Sequence, residues 1–142
     1  MNEPEIRMIK IKDKDGAFET VAAKQVFEDT YTLLETPALL CRLNYGTTIR
    51  VKPDENGELE MVSVLRASKY KTRRFVLPSL SKVELINKLG NPIQEAGGLW
   101  EVVFGGIIFI HLPHDSQFNL SALFQQLGGP VTEIIDDKEA DV

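Results

Sequence analysis

The feature that most constrains this chain is a change of hydrophobic period near residue 72. Before it, apolar residues recur at every second position between turn signals, which is how a half-buried strand reads. After it, two stretches recur at helical spacing among further strands. "IRMIKIK" (6–12) alternates through Ile6, Met8 or Ile9, and Ile11, and "DKDG" supplies a turn because Asp-Gly tolerates positive φ. "AFETVAA" is the expected return strand, and "TYTLLE" (30–35) is a third, ended by Pro37 or confined by it to a sheet edge. "LLCRLNYG" is too short an apolar run to show a period. "TTIRVK", the Pro-Asp and Asn-Gly chemistry of "PDENGE", and "LEMVSVLRA" together predict a β-hairpin over 48–66.

Beyond residue 72, "RRFVLP" is a strand and Ser81 to Glu84 a capping box, in which the serine accepts from an amide and the glutamate reaches back. Val83, Ile86 and Leu89 form one apolar face, and Gly90 is the expected left-handed stop. "IQEAGGLWEVVF", Gly-Gly and "IIFIHLP" predict two antiparallel strands, with a hairpin over 99–112. Asn119 caps a second helix carrying Leu120, Leu123, Phe124 and Leu127, and "VTEII" is a last strand. The predicted fold is α+β: a β-rich half, a small barrel-like sheet over 1–71, packed on a ferredoxin-like βαββαβ half over 72–135. An acidic tail, 136–142, follows, and the halves are expected to form one compact unit. The predicted core of the second half is Val83, Ile86, Leu89, Val103, Ile108, Ile110, Leu123, Phe124 and Leu127.

The stretch "YTLLETPALLCRLNYGTTIRVKPDENGELE", followed by "VLRASKYKTRRFVLP", is similar to the bacterial domain-of-unknown-function 4265 family. Tyr31, Leu33, Pro37, Tyr45-Gly46, the "PDENG" turn, and Ser68 with Thr72 carry the resemblance, which runs from about residue 8 to 135. Three positions depart from the family pattern. Ala22 stands where a tryptophan is expected, Thr47 where an aspartate follows Tyr45-Gly46, and Lys69-Tyr70 where a Gly-His precedes the basic strand. The resemblance implies a fold and carries no activity; a polar site made of those groups would be absent from this chain.

Charge narrows the function classes. The chain of 142 residues has a formal net charge of −5, yet Arg66, Lys69, Lys71, Arg73 and Arg74 fall within nine positions. Setting those five aside leaves eleven basic residues against twenty-one acidic, a balance of −10 that opposes bulk binding to a polyanion. With Tyr70 they form the candidate anion- or partner-binding face. On a strand, Lys69, Lys71 and Arg73 share one side and Tyr70, Thr72 and Arg74 the other. A cationic face with an aromatic neighbour suits single-stranded nucleic acid, although such readers usually interleave several aromatics. A solvated face whose lysines discourage edge pairing is the favoured reading.

Catalytic signals are sparse. His111 and His114 in "HLPH" would need a third metal ligand, for which Asp115 or Cys41 would have to serve, and a plain strand-to-loop pair is the favoured reading. Cys41, within Leu39-Leu40-Cys41, reads as a small hydrophobe. The paired carboxylates sit in turns and the tail. Neither a nucleophile elbow nor a phosphate-binding glycine pattern occurs. The sequence therefore predicts no catalytic residue, no metal and no cofactor. It predicts no membrane helix and no secretory signal, and a single cysteine fits a reducing cytoplasm. The expected function is that of a non-catalytic binding or accessory protein recognising a protein partner, of immunity, inhibitor or regulatory type. Nucleic-acid binding through 66–74 is the alternative, and small-ligand sensing a second.

Overall fold

The computed structural model describes residues 5–38, 43–127 and 129–135. The chain divides into two compact units between Lys69 and Tyr70.

In the first unit, β1 (Ile6–Lys12), β2 (Phe18–Phe27), β3 (Thr30–Leu33), β4 (Thr48–Pro53) and β5 (Leu59–Arg66) follow one another as antiparallel neighbours. Parallel pairing of Lys10 with Glu60 joins β5 to β1 and closes the sheet into a barrel. Closure removes the sheet edges that would otherwise invite pairing with another chain. The interior holds Ile9, Ile11, Val21, Ala23, Tyr31, Leu33, Leu43, Ile49 and Val51, with Leu59 and Met61 packed against them. Each large aliphatic buried there contributes roughly 1.5–3 kcal/mol. The ambiguities in the sequence pattern now resolve. Ile9, not Met8, points inward, and Met61 does so in preference to Val62, because a register shift between Arg50 and Val51 leaves Val62 without a cross-strand partner.

Two of the barrel's turns use the same device. Asp13 Oδ1 accepts from the amides of Asp15 and Ala17 at 2.9 and 3.0 Å, and Gly16 takes φ +85°. Asp54 Oδ1 accepts from Asn56 and Glu58 at 2.8 and 3.0 Å, and Gly57 takes φ +80°. Asp54 also receives the Lys10 ammonium at 2.8 Å, which ties the β4–β5 turn to β1. This hydrogen bond holds the Asp54 carboxyl below its usual range and raises Lys10.

In the second unit, β6 (Tyr70–Val76), β7 (Leu99–Val103), β8 (Ile107–Pro113) and β9 (Thr132–Ile134) form a four-stranded sheet in the order β7-β8-β6-β9. Every neighbour is antiparallel. Between β6 and β7 runs a continuous helical segment: α1 (Lys82–Leu85), a π-helical stretch over Ile86–Gly90, and α2 (Asn91–Glu95). A third helix, α3 (Leu120–Gln125), lies between β8 and β9. The Ser81–Glu84 capping box forms in both directions, and the Asn119 side chain accepts from the Ala122 amide at 3.1 Å. Phe75, Ile108 and Ile110 on one sheet face pack with Leu89, Ile93, Leu120, Leu123 and Leu127. Phe124 meets Phe75 edge-on at 4.6 Å between ring centres.

Three expectations need correction here. Gly90 does not stop the helix; its φ is −61° and the helix runs on to Glu95. Glycine is required there by proximity, because a Cβ would lie 2.6 Å from the Trp100 ring. The positive φ falls at Gly97 instead. Val83 and Ile86, placed in the core by their spacing with Leu89, are 67% and 37% exposed. The π-helical stretch widens the turn between Ile86 and Gly90 and changes which face follows, so burial begins at Leu89 and continues at Ile93. Val103 is half-buried, whereas Leu89, Ile108, Ile110, Leu123, Phe124 and Leu127 are buried or packed against the core.

Candidate binding surfaces

The register of β6 separates the basic residues proposed from the sequence. Arg66 ends β5 in the first unit, paired with Thr48, and Lys69 lies just before β6. Lys71 and Arg73 share a sheet face with Phe75, while Tyr70, Thr72 and Arg74 occupy the other. Arg73 makes a two-pronged ion pair with Glu133 on β9, at 2.8 and 2.9 Å. That pair raises Arg73 and lowers the Glu133 carboxyl, with Lys71 adding to the latter. Arg74 is only 7% exposed, its guanidinium 5.2 Å from the centre of the Phe109 ring. The stretch is therefore not one exposed cationic strip. One of its charges is matched by a carboxylate, one is buried, and one belongs to the barrel.

The opposite fate befalls His111. Set aside as an ordinary strand-end histidine, it is fully buried and hydrogen-bonded through both ring nitrogens. Direct pairing of Thr72 with His111 brings the threonine hydroxyl to 2.7 Å from Nδ1, and Glu101 on β7 lies 2.5 Å from Nε2. A carboxylate only accepts, so Nε2 carries the proton and donates to Glu101. In the neutral ring Nδ1 then accepts from the Thr72 hydroxyl. Tyr70 completes the cluster, its ring centre 6.5 Å from the imidazole. The geometry fixes one tautomer and one ring orientation. Thr72 and His111 lie 39 residues apart in sequence, so only the strand register could reveal them as neighbours. Among the described residues no group of three or more His, Cys, Asp or Glu side chains could hold a metal ion. Cys41 lies outside the described residues.

A third feature was not singled out in the sequence. Between β7 and β8, Phe104 takes φ +51° and Gly105 +74°, and the Gly106 amide donates to Val103 O at 3.3 Å. Consecutive positive φ values make this a primed hairpin turn, whose first central position favours asparagine or glycine. Phenylalanine there is a conformational outlier. It is also 75% exposed. The end of β6 abuts this tip, since the Leu77 amide donates to Gly106 O at 2.9 Å, and the exposed Val76 and Val102 lie close by along the strands. The available signal was the absence of Asn or Asp ahead of Gly105-Gly106.

No family model and no curated protein matches the chain. A crystal structure of a hypothetical protein from Neisseria gonorrhoeae is similar over 94% of this chain and 94% of its own, with a TM-score of 0.60 and 12% sequence identity. At that identity the likeness is one of fold. Among the described residues no helix is long and apolar enough to cross a membrane.

Proposed function

We propose that the protein acts by recognising another protein, without chemistry of its own, and that the β7–β8 tip is the contact. The observation that carries this reading is Phe104, a large aromatic held exposed in a backbone conformation that a different residue would adopt more cheaply. Backbone strain persists where something other than stability maintains it, and buried aromatics dominate the energetics of interfaces. The histidine cluster, with both ring nitrogens engaged, supports an ordering role. In the same reading the second unit is ferredoxin-like, supported by its β-α-β-β-α-β order, and the protein is a cytoplasmic, divergent member of the domain-of-unknown-function 4265 family.

The test is affinity capture from the native cell with the wild type and Phe104→Asn. Asparagine tolerates the left-handed region, so the variant should melt no lower than the wild type. A protein captured by the wild type in stoichiometric amount should be lost with the variant. Retention of that partner by Phe104→Asn would sink the proposal.

A further inference from the structure

The outer wall of the barrel carries a pattern that only the strand register shows. Lys24 on β2 pairs with Thr32 on β3, Thr32 with Thr48 on β4, and Thr48 with Arg66 on β5. These four residues thus form one row across four strands. The next row runs Phe27, Thr30, Arg50, Ser63 through the same kind of pairing. Both rows point outward, because the residues alternating with them, Tyr31, Leu33, Ile49 and Val51, fill the interior. The Thr32 and Thr48 hydroxyls are linked at 3.2 Å in the middle of the first row.

None of the ion pairs formed among the described residues engages Lys24, Arg50 or Arg66. This contrasts with Lys10, Lys12 and Arg73, each of which faces a carboxylate. Three cations without acidic partners among the described residues, set among four hydroxyl-bearing residues, make a surface complementary to phosphate oxygens. Beside them Phe27 is 68% exposed. At about 4.8 Å per strand, the row from Lys24 to Arg66 spans roughly 14 Å, the reach of a short run of nucleotides. Glu28 and Asp29, in the β2–β3 turn, bound the patch at one end and oppose extension of an anion in that direction.

We infer that this wall binds single-stranded nucleic acid. Lys24, Arg50 and Arg66 contact backbone phosphates, the threonine and serine hydroxyls supply further donors, and Phe27 offers a stacking surface to one base. An acidic protein segment would match the cations and leave Phe27 without a role; it is therefore the less fitting occupant. The inference is independent of the Phe104 reading and uses different residues.

The test is a fluorescence-anisotropy titration of the full chain with labelled oligo-dT and oligo-rU of about twelve nucleotides, within the usual site size of a small barrel. Three phosphate contacts predict affinity falling roughly 20-fold between about 50 and 200 mM salt, from a slope of about −0.7 per contact on single strands. Lys24→Gln with Arg50→Gln should remove most of that slope. Phe27→Ala should weaken binding about fivefold or more at every salt concentration while leaving the slope intact. Lys71→Gln with Arg73→Gln and Phe104→Asn should each bind as the wild type does. All the substituted side chains are exposed or half-exposed, and circular dichroism verifies that each variant is folded. Absence of binding at the lower salt would overturn the inference. So would equal loss on changing Lys71 and Arg73, which would move the site to β6. Displacement by polyglutamate with no effect of Phe27→Ala would assign the wall to an acidic protein instead.

Discussion

The β4–β5 and β7–β8 hairpins answer one geometric demand with opposite materials. In the first, Asp54 gathers two amides, Gly57 supplies the positive φ, and Lys10 anchors the turn to a neighbouring strand. In the second, Phe104 stands at positive φ in the open. A turn that satisfies its own backbone can nucleate its hairpin. A turn that resists its own conformation must be imposed by the strands on either side, and here those strands bury Ile108 and Ile110 against the helices. Local chemistry explains one hairpin and tertiary packing the other.

The sharpest way to break this contrast is to remove packing. Phe124→Ala deletes the edge-on partner of Phe75 and should cost about 3–5 kcal/mol, read as a lowered denaturation midpoint, with hydrogen exchange accelerated along β7–β8 more than along β4–β5. If both hairpins lost protection equally, the distinction between them would fail. Next in size is the turn that supports itself. Gly57→Val forces a branched side chain into the left-handed region and should cost roughly 1–2 kcal/mol, although no atom stands within 4 Å of the added Cβ. A midpoint unchanged by it would show that the β4–β5 turn contributes little.

Phe104→Asn reverses the sign. Relief of the outlier should stabilise the protein by up to about 1 kcal/mol, measured as a raised midpoint, and a clear loss of stability would mean that Phe104 is held by contacts worth more than the strain. The smallest effect is pH-dependent. Because the Lys10 hydrogen bond depresses the Asp54 pKa, its contribution is present above the unfolded value and fades as pH falls through the folded one, below about pH 4. Lys10, being raised, loses its share only at strongly alkaline pH. The acid-side fall in melting temperature should be shallower in Asp54→Asn, and identical profiles would show the pair to be inert.

Strands and caps were legible in the sequence because their causes are local. Alternation located Ile11 and left Met8 and Ile9 open, Asp-Gly and Asn-Gly marked two turns, and Ser81 and Asn119 announced their helices. Val83 and Ile86 were misread because a helical stripe assumes a constant 3.6-residue turn, which the π-helical stretch breaks. Gly90 was misread because glycine serves both as a left-handed stop and as a bare surface, and Trp100, which decides between them, lies on another element. The basic stretch was legible as composition and opaque as a surface. Glu133 and Arg66's place beside Thr48 depend on register, as do the neighbours of His111. Phe104 went unnoticed because a hydrophobic residue beside two glycines reads as the end of a strand.

Glu101 has a further consequence for how crowded copies of this molecule behave. β7 is an outer strand of its sheet, and its sequence, Leu-Trp-Glu-Val-Val, contains neither lysine nor proline. Short apolar strands of this kind are templates for sheet growth from one molecule to the next. Two copies meeting antiparallel along the full strand would set Glu101 opposite Glu101, and like charges directly opposed are destabilising. The strand's central position is thus occupied by the one residue that penalises self-stacking, and the His111 hydrogen bond keeps that carboxylate from turning aside. The same pair that orders the ring also fixes a negative charge at the middle of the edge.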